Sequence, residues 1–106
     1  MSKYIEITEE NFEAETSKGV VMLDFYAEWC GPCRMIGPVI EELAIDFEGK
    51  AKICKVNTET NEEIAAKFGV RNIPFIAFLK DGEMVHSMVG ANSKANYAHE
   101  IDKLLS

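Results

Sequence analysis

Cysteine is scarce in this sequence, with three in 106 residues. An odd, small number excludes the disulfide framework that holds many small secreted domains together. Basic residues are also in the minority: 11 Lys and Arg stand against 18 Asp and Glu, a net charge of −7. A chain of that sign repels phosphate, so neither nucleic acid nor an anionic membrane surface is expected as a partner. No apolar run approaches the roughly 20 residues of a membrane span. The opening Met1-Ser2-Lys3-Tyr4-Ile5-Glu6 shows no basic region followed by an apolar one, so no secretion signal is visible and a cytoplasmic protein is expected. Repeats, low-complexity tracts and linkers are absent too. The length suits one domain and is too short for two, so residues 1–106 are expected to form a single domain.

What is present is an alternation of short elements. Ile5 and Ile7 suggest a first strand, and Thr8 a helix cap followed by Glu9 and Glu10 in the first turn. That helix carries Phe12 inward and stops near Gly19. Val20 to Tyr26 is almost wholly apolar, the pattern of a strand covered on both faces. Cys33 to Glu48 predicts one long helix, with Ile36, Val39, Ile40, Leu43, Ala44 and Phe47 at helical spacing, a kink at Pro38 and a stop at Gly49. Ala51 to Asn57 alternates as a strand, and Glu62 to Phe68 reads as a short helix closed by Gly69. Phe75 to Leu79 and Met84 to Val89 flank Asp81-Gly82, a strong hairpin signal. Ser93 caps a last helix bearing Tyr97, Ala98, Ile101, Leu104 and Leu105 on its apolar face. The order β-α-β-α-β-α-β-β-α predicts an α/β fold, a central mixed sheet with helices on both faces.

Cys30 and Cys33 sit where the buried strand gives way to a helix, at the carboxyl end of that strand, where α/β sheets gather their sites. Three residues of helical rise put their Cα atoms roughly 5 Å apart, within disulfide range. The thiolate is the attacking species, and a cysteine at the helix start faces unpaired N–H groups that favour it. Pro32 suits the first turn, where its missing N–H leaves nothing unpaired, and Gly31 keeps a side chain off the sulfurs. The chemistry implied is attack by Cys30 on a substrate disulfide, then resolution by Cys33. A zinc site is the competing reading, but Cys54, His86 and His99 are scattered singly and cannot complete four ligands, so no metal is expected. Asp24 lies within Val20 to Tyr26, where an unpaired carboxylate is costly and desolvation raises its pKa. It either serves the proton of a cysteine or reaches water at an edge. Lys55, sharing a face with Ile53, is either its partner or solvent-facing. Pro74 opens the Phe75 strand, a position where proline is tolerated. Cys54 reads as an inert buried thiol, and His86 and His99 as surface residues. The methionines read as core filler, Met35 beside Cys33 excepted.

These residues resemble the thioredoxin family over about Tyr4 to Leu105. The shared marks are Asp24-Phe25-Tyr26-Ala27 before Trp29-Cys30-Gly31-Pro32-Cys33, then Pro38, Lys55, Ile73-Pro74, Lys80-Asp81-Gly82-Glu83 and Gly90. The resemblance implies the thioredoxin fold and a protein disulfide reductase with Cys30 as nucleophile and Cys33 as resolving thiol. It further implies that Asp24 assists Cys33, with Lys55 nearby, and that Pro74 is cis. Trp29, Gly31, Pro32, Ile73, Pro74 and Gly90 would form the docking surface. No cofactor would be bound. Electrons would come from NADPH through a flavin-containing thioredoxin reductase and pass to clients such as ribonucleotide reductase, peroxiredoxins and methionine sulfoxide reductases, the chain itself acting as a monomer. A redox-dependent binding module using the same surface is the alternative. Tyr26, Asn72 and Phe75 depart from common family residues, and Asn72 and Phe75 are expected to tune client choice beside the docking loop.

Overall fold

The computed structural model describes residues 3–106. Its elements are β1 (Ile5–Glu6), α1 (Phe12–Thr16), β2 (Val20–Tyr26), α2 (Gly31–Met35), α3 (Gly37–Asp46), β3 (Lys52–Asn57), α4 (Glu62–Lys67), β4 (Phe75–Lys80), β5 (Glu83–Val89) and α5 (Lys94–Leu105). The strands form one sheet in the order β1-β3-β2-β4-β5. β3 runs parallel to both β1 and β2, whereas β4 is antiparallel to both β2 and β5. β2 is therefore interior, which explains its apolar run: Val20 to Phe25 are all buried. One face packs Val20, Met22, Ile53 and Ile76 against α3 and α5 through Ile40, Leu43, Tyr97 and Ile101. The other packs Val21, Leu23, Phe25 and Leu79 against Ile64 of α4, with Phe12 and Phe68 at its margin. The expected mixed sheet with helices on both faces is the observed architecture.

Local chemistry explains most boundaries. The β4–β5 hairpin turns at Asp81 and Gly82, both at positive φ (51° and 90°), the pairing that matches strand twist in a two-residue turn. The Asp81 carboxylate accepts the Gly19 N–H at 2.9 Å, tying the hairpin to the end of the loop before β2. Ser93 Oγ accepts the Asn96 N–H at 3.1 Å and caps α5 as expected.

Three sequence expectations are corrected. The long helix is not one kinked helix over 33–48 but two, α2 and α3, parted at Ile36 (φ −89°, ψ 0°). Pro38 has no N–H for the carbonyl of Arg34, and its ring crowds that turn; Gly37-Pro38 instead start a new helix, where proline is at home. The first helix begins later than Thr8 implies. Thr8 Oγ1 accepts the Asn11 N–H and Asn11 Oδ1 accepts the Thr8 N–H, at 3.3 and 2.8 Å. This reciprocal cap closes a turn, and the α-helix follows from Phe12. Met84, read as core filler, is 43% exposed on edge strand β5.

Candidate active site

The site is assembled at the carboxyl end of β2. Cys30 is the N-cap of α2, and its Sγ accepts the Cys33 N–H at 3.2 Å. The two cysteines form a disulfide with Cα atoms 5.3 Å apart, in line with the helical-rise argument. Because α2 is only five residues long, the positive field at Cys30 Sγ comes from first-turn N–H groups, that of Cys33 foremost, rather than from a long helix. Both sulfur-bearing residues are 4% exposed and pack with Ala27, Tyr26 and Ile73. An added Cβ at Gly31 would touch nothing within 4 Å, so packing within the chain does not demand glycine there; the space over the motif is open.

Asp24 lies fully buried beneath this end of the sheet, and neither carboxylate oxygen has a hydrogen-bond partner. Of the two readings of Asp24, the water-reaching edge residue is thereby excluded. Desolvation pushes its pKa up to about 7, against the opposing pull of Lys55 and with a small addition from Glu6. Asp24 and Lys55 are direct partners in the β2–β3 register. The Lys55 ammonium, however, sits over the rings of Tyr26 and Tyr4, 4.3 and 5.1 Å from their centres. An open cleft of about 480 Å³ is lined by Lys55 together with Tyr26, Cys33 and Arg34.

Above the disulfide, Trp29 is 65% exposed and its indole N–H donates to Glu59 at 2.7 Å. Trp29 and Ile73 line a smaller cleft of about 190 Å³ with Val70 and Arg71. The Ile73–Pro74 bond is cis, and the Pro74 carbonyl accepts the Gly90 N–H at 2.8 Å. Gly90 itself is at φ +87°, a conformation that other residues rarely adopt. Asn72 is exposed beside this loop. Phe75 is not: it is buried against Phe25, ring centres 5.9 Å apart, on the α1–α4 face. The expectation of an apolar ring presented beside the docking loop is corrected, because its β4 register turns the ring into the core.

Cys54 is fully buried, and burial drives its thiol pKa up to about 12, which leaves it un-ionised at neutral pH. His86 and His99 are exposed. Among the described residues no group of three or more His, Cys, Asp or Glu is placed to hold a metal, and no helix is long and apolar enough to cross a membrane. Sequence reasoning missed Glu6 and Glu59. Glu6 accepts the Tyr26 hydroxyl at 2.9 Å. Its only sequence signal is its place between Ile5 and Ile7 in a strand whose register with Lys55 is not legible locally.

A cysteine pair that opens and closes at a helix start, with an acid of raised pKa buried in the strand that leads to it, can take up and release two electrons through sulfur alone. Fold and site thus define a dithiol–disulfide oxidoreductase. Comparison with known proteins agrees: the Thioredoxin family model matches residues 3–103. A thioredoxin of Chlorobaculum thiosulfatiphilum is 50% identical over 103 residues, covering 95% of each chain. Thioredoxin 2 of Chlorobaculum tepidum is also 50% identical over 103 residues, covering 95% of this chain and 94% of its own. A thioredoxin of Staphylococcus haemolyticus is 48% identical over 101 residues, covering 95% of this chain and 97% of its own. The chain belongs to the thioredoxin family. It is a protein disulfide reductase that cycles Cys30–Cys33 and is itself recharged by thioredoxin reductase; nothing in the geometry or the relatives favours a binding module without turnover.

Proposed function

We propose that Cys30 is the nucleophile, that Cys33 resolves, and that Asp24 carries the proton of Cys33. The observation that carries this reading is the Cys33 N–H held 3.2 Å from Cys30 Sγ, which favours charge on that sulfur and not on its neighbour. In the reduced protein the Cys30 thiolate attacks a client disulfide, forming a mixed disulfide and expelling one client thiolate. The Cys33 thiol then gives its proton to the Asp24 carboxylate as its sulfur attacks Cys30 Sγ. The Cys30–client bond breaks, and the second client thiolate leaves to take a proton from solvent. An acid buried until its pKa is near 7 is matched to that transfer at neutral pH. Lys55, partnered with Asp24 across the strands, keeps the acid from being un-ionised altogether.

The client strand docks on the apolar ring formed by Trp29, Gly31, Pro32, Ile73, Pro74 and Gly90. The exposed Trp29, the open space over Gly31 and the cleft between Trp29 and Ile73 support this surface. The chain acts as one domain and as a monomer in the cytoplasm. NADPH supplies the electrons through a flavin in the reductase, and clients are of the ribonucleotide reductase, peroxiredoxin and methionine sulfoxide reductase kind. The test is NADPH oxidation coupled through the cognate reductase with insulin as disulfide substrate. Wild type turns over, whereas Cys30→Ser does not. Turnover by Cys30→Ser would overturn the assignment.

A further inference from the structure

The sheet places Glu6 of β1, Lys55 of β3 and Asp24 of β2 in one cross-strand row: Glu6 is the register partner of Lys55, and Lys55 that of Asp24. Paired residues of neighbouring strands point to the same face. Tyr4 and Tyr26, two residues along from Glu6 and Asp24, share that face and take the Lys55 ammonium over their rings. The Tyr26 hydroxyl donates to Glu6 Oε2 at 2.9 Å, and burial keeps this phenol protonated and therefore a donor. The outer carboxylate is thus fixed in position, and the cleft it borders reaches Cys33.

We propose that Glu6, held by the Tyr26 hydroxyl, is a positioning residue that acts through Lys55 to set the charge state of Asp24 and with it the pace of the resolving step. This rests on the reading of Asp24 as proton partner of Cys33. Lys55 stands between two carboxylates and its field is shared by both, so the outer one weakens its hold on the inner one and adds its own repulsion. Other polar or charged groups face the row. Glu28 acts on Glu6, the Arg34 guanidinium is engaged by the Glu28 carbonyl at 2.8 Å, and Tyr97 packs from α5 with its hydroxyl accepting the Asn92 N–H. None of these lies in the cross-strand row.

The test is the titration of the Asp24 carboxyl carbon by NMR in the oxidised protein, together with the pH dependence of client release from a Cys30–client mixed disulfide. Glu6→Gln keeps an acceptor for Tyr26 and removes the charge. It lowers the Asp24 midpoint by about half a pH unit, the size of one partly solvated charge interaction, and speeds client release about threefold below that midpoint. Tyr26→Phe moves the midpoint the same way by less, and Glu28→Gln, outside the row, leaves it in place. An Asp24 midpoint unmoved in Glu6→Gln, or moved equally in Glu28→Gln, would overturn the proposal. A shifted midpoint with client release unchanged would instead uphold the coupling and overturn the proton role of Asp24.

Discussion

Replacing Asp24 by asparagine isolates the effect of burying an ionisable acid. The carboxyl titrates at 3.8 when free and at about 7 in the fold. Below pH 4 both states are protonated, and ionisation contributes nothing. Between about pH 4 and 7 the unfolded chain loses the proton while the folded one keeps it, so stability falls by about 1.4 kcal/mol per pH unit. Above pH 7 both are ionised, and the folded state carries the full cost of about 4 kcal/mol, three pKa units at that rate. The assay is guanidinium unfolding of the oxidised protein at closely spaced pH values, with Asp24→Asn alongside. Other titrating groups are common to both proteins, so the difference between the two curves reports Asp24 alone. The asparagine amide is itself unpartnered in the site, but that penalty does not vary with pH. Relative to the variant, wild type should lose about 4 kcal/mol from pH 4 to pH 8. A difference curve that is flat over this range would refute the claim that the acid is desolvated and unpartnered.

Further outcomes follow from placement. Phe75→Ala removes a buried ring and should lower stability by about 3 to 5 kcal/mol, with client preference among the folded molecules unchanged; chemical unfolding and the ratio of kcat/KM values for two clients check both halves. Trp29→Ala should leave stability within about 0.5 kcal/mol, because the ring is exposed and outside the core, while the proposed docking surface predicts a several-fold rise in KM for insulin. Ser93→Ala should remove about 1 kcal/mol through loss of the α5 cap, measured by thermal or chemical unfolding, with turnover unaffected.

The sequence reveals a good deal of this where the signal is local. The Val20–Tyr26 run shows a strand buried on both faces, Asp81-Gly82 a hairpin, Ser93 a cap, and Cys30–Cys33 a dithiol at a strand-to-helix junction. The break at Ile36 is hidden because apolar periodicity is indifferent to one non-helical residue: Ile36, Ile40 and Leu43 all reach the core across it. Phe75 misleads because adjacency to Pro74 says nothing of which face of the sheet receives the ring. That depends on its pairing with Phe25 and Val89, distant in sequence. The same holds for Glu6. Its charge is unremarkable until the parallel register of β1 and β3 sets it beside Lys55. Asp24 is the intermediate case. Its sequence context shows that it is enclosed, but only the structure shows both oxygens unpartnered.

The central claim is that Cys30 attacks and Cys33 resolves. Its most direct measurement is intact-mass and peptide mapping of Cys33→Ser, reduced and then incubated with a disulfide client. A stable adduct joined through Cys30 is predicted, absent from the Cys30→Ser protein and cleared by dithiothreitol. An adduct joined through Cys54, or one that forms on Cys33 when Cys30 is replaced and at an undiminished rate, would contradict it.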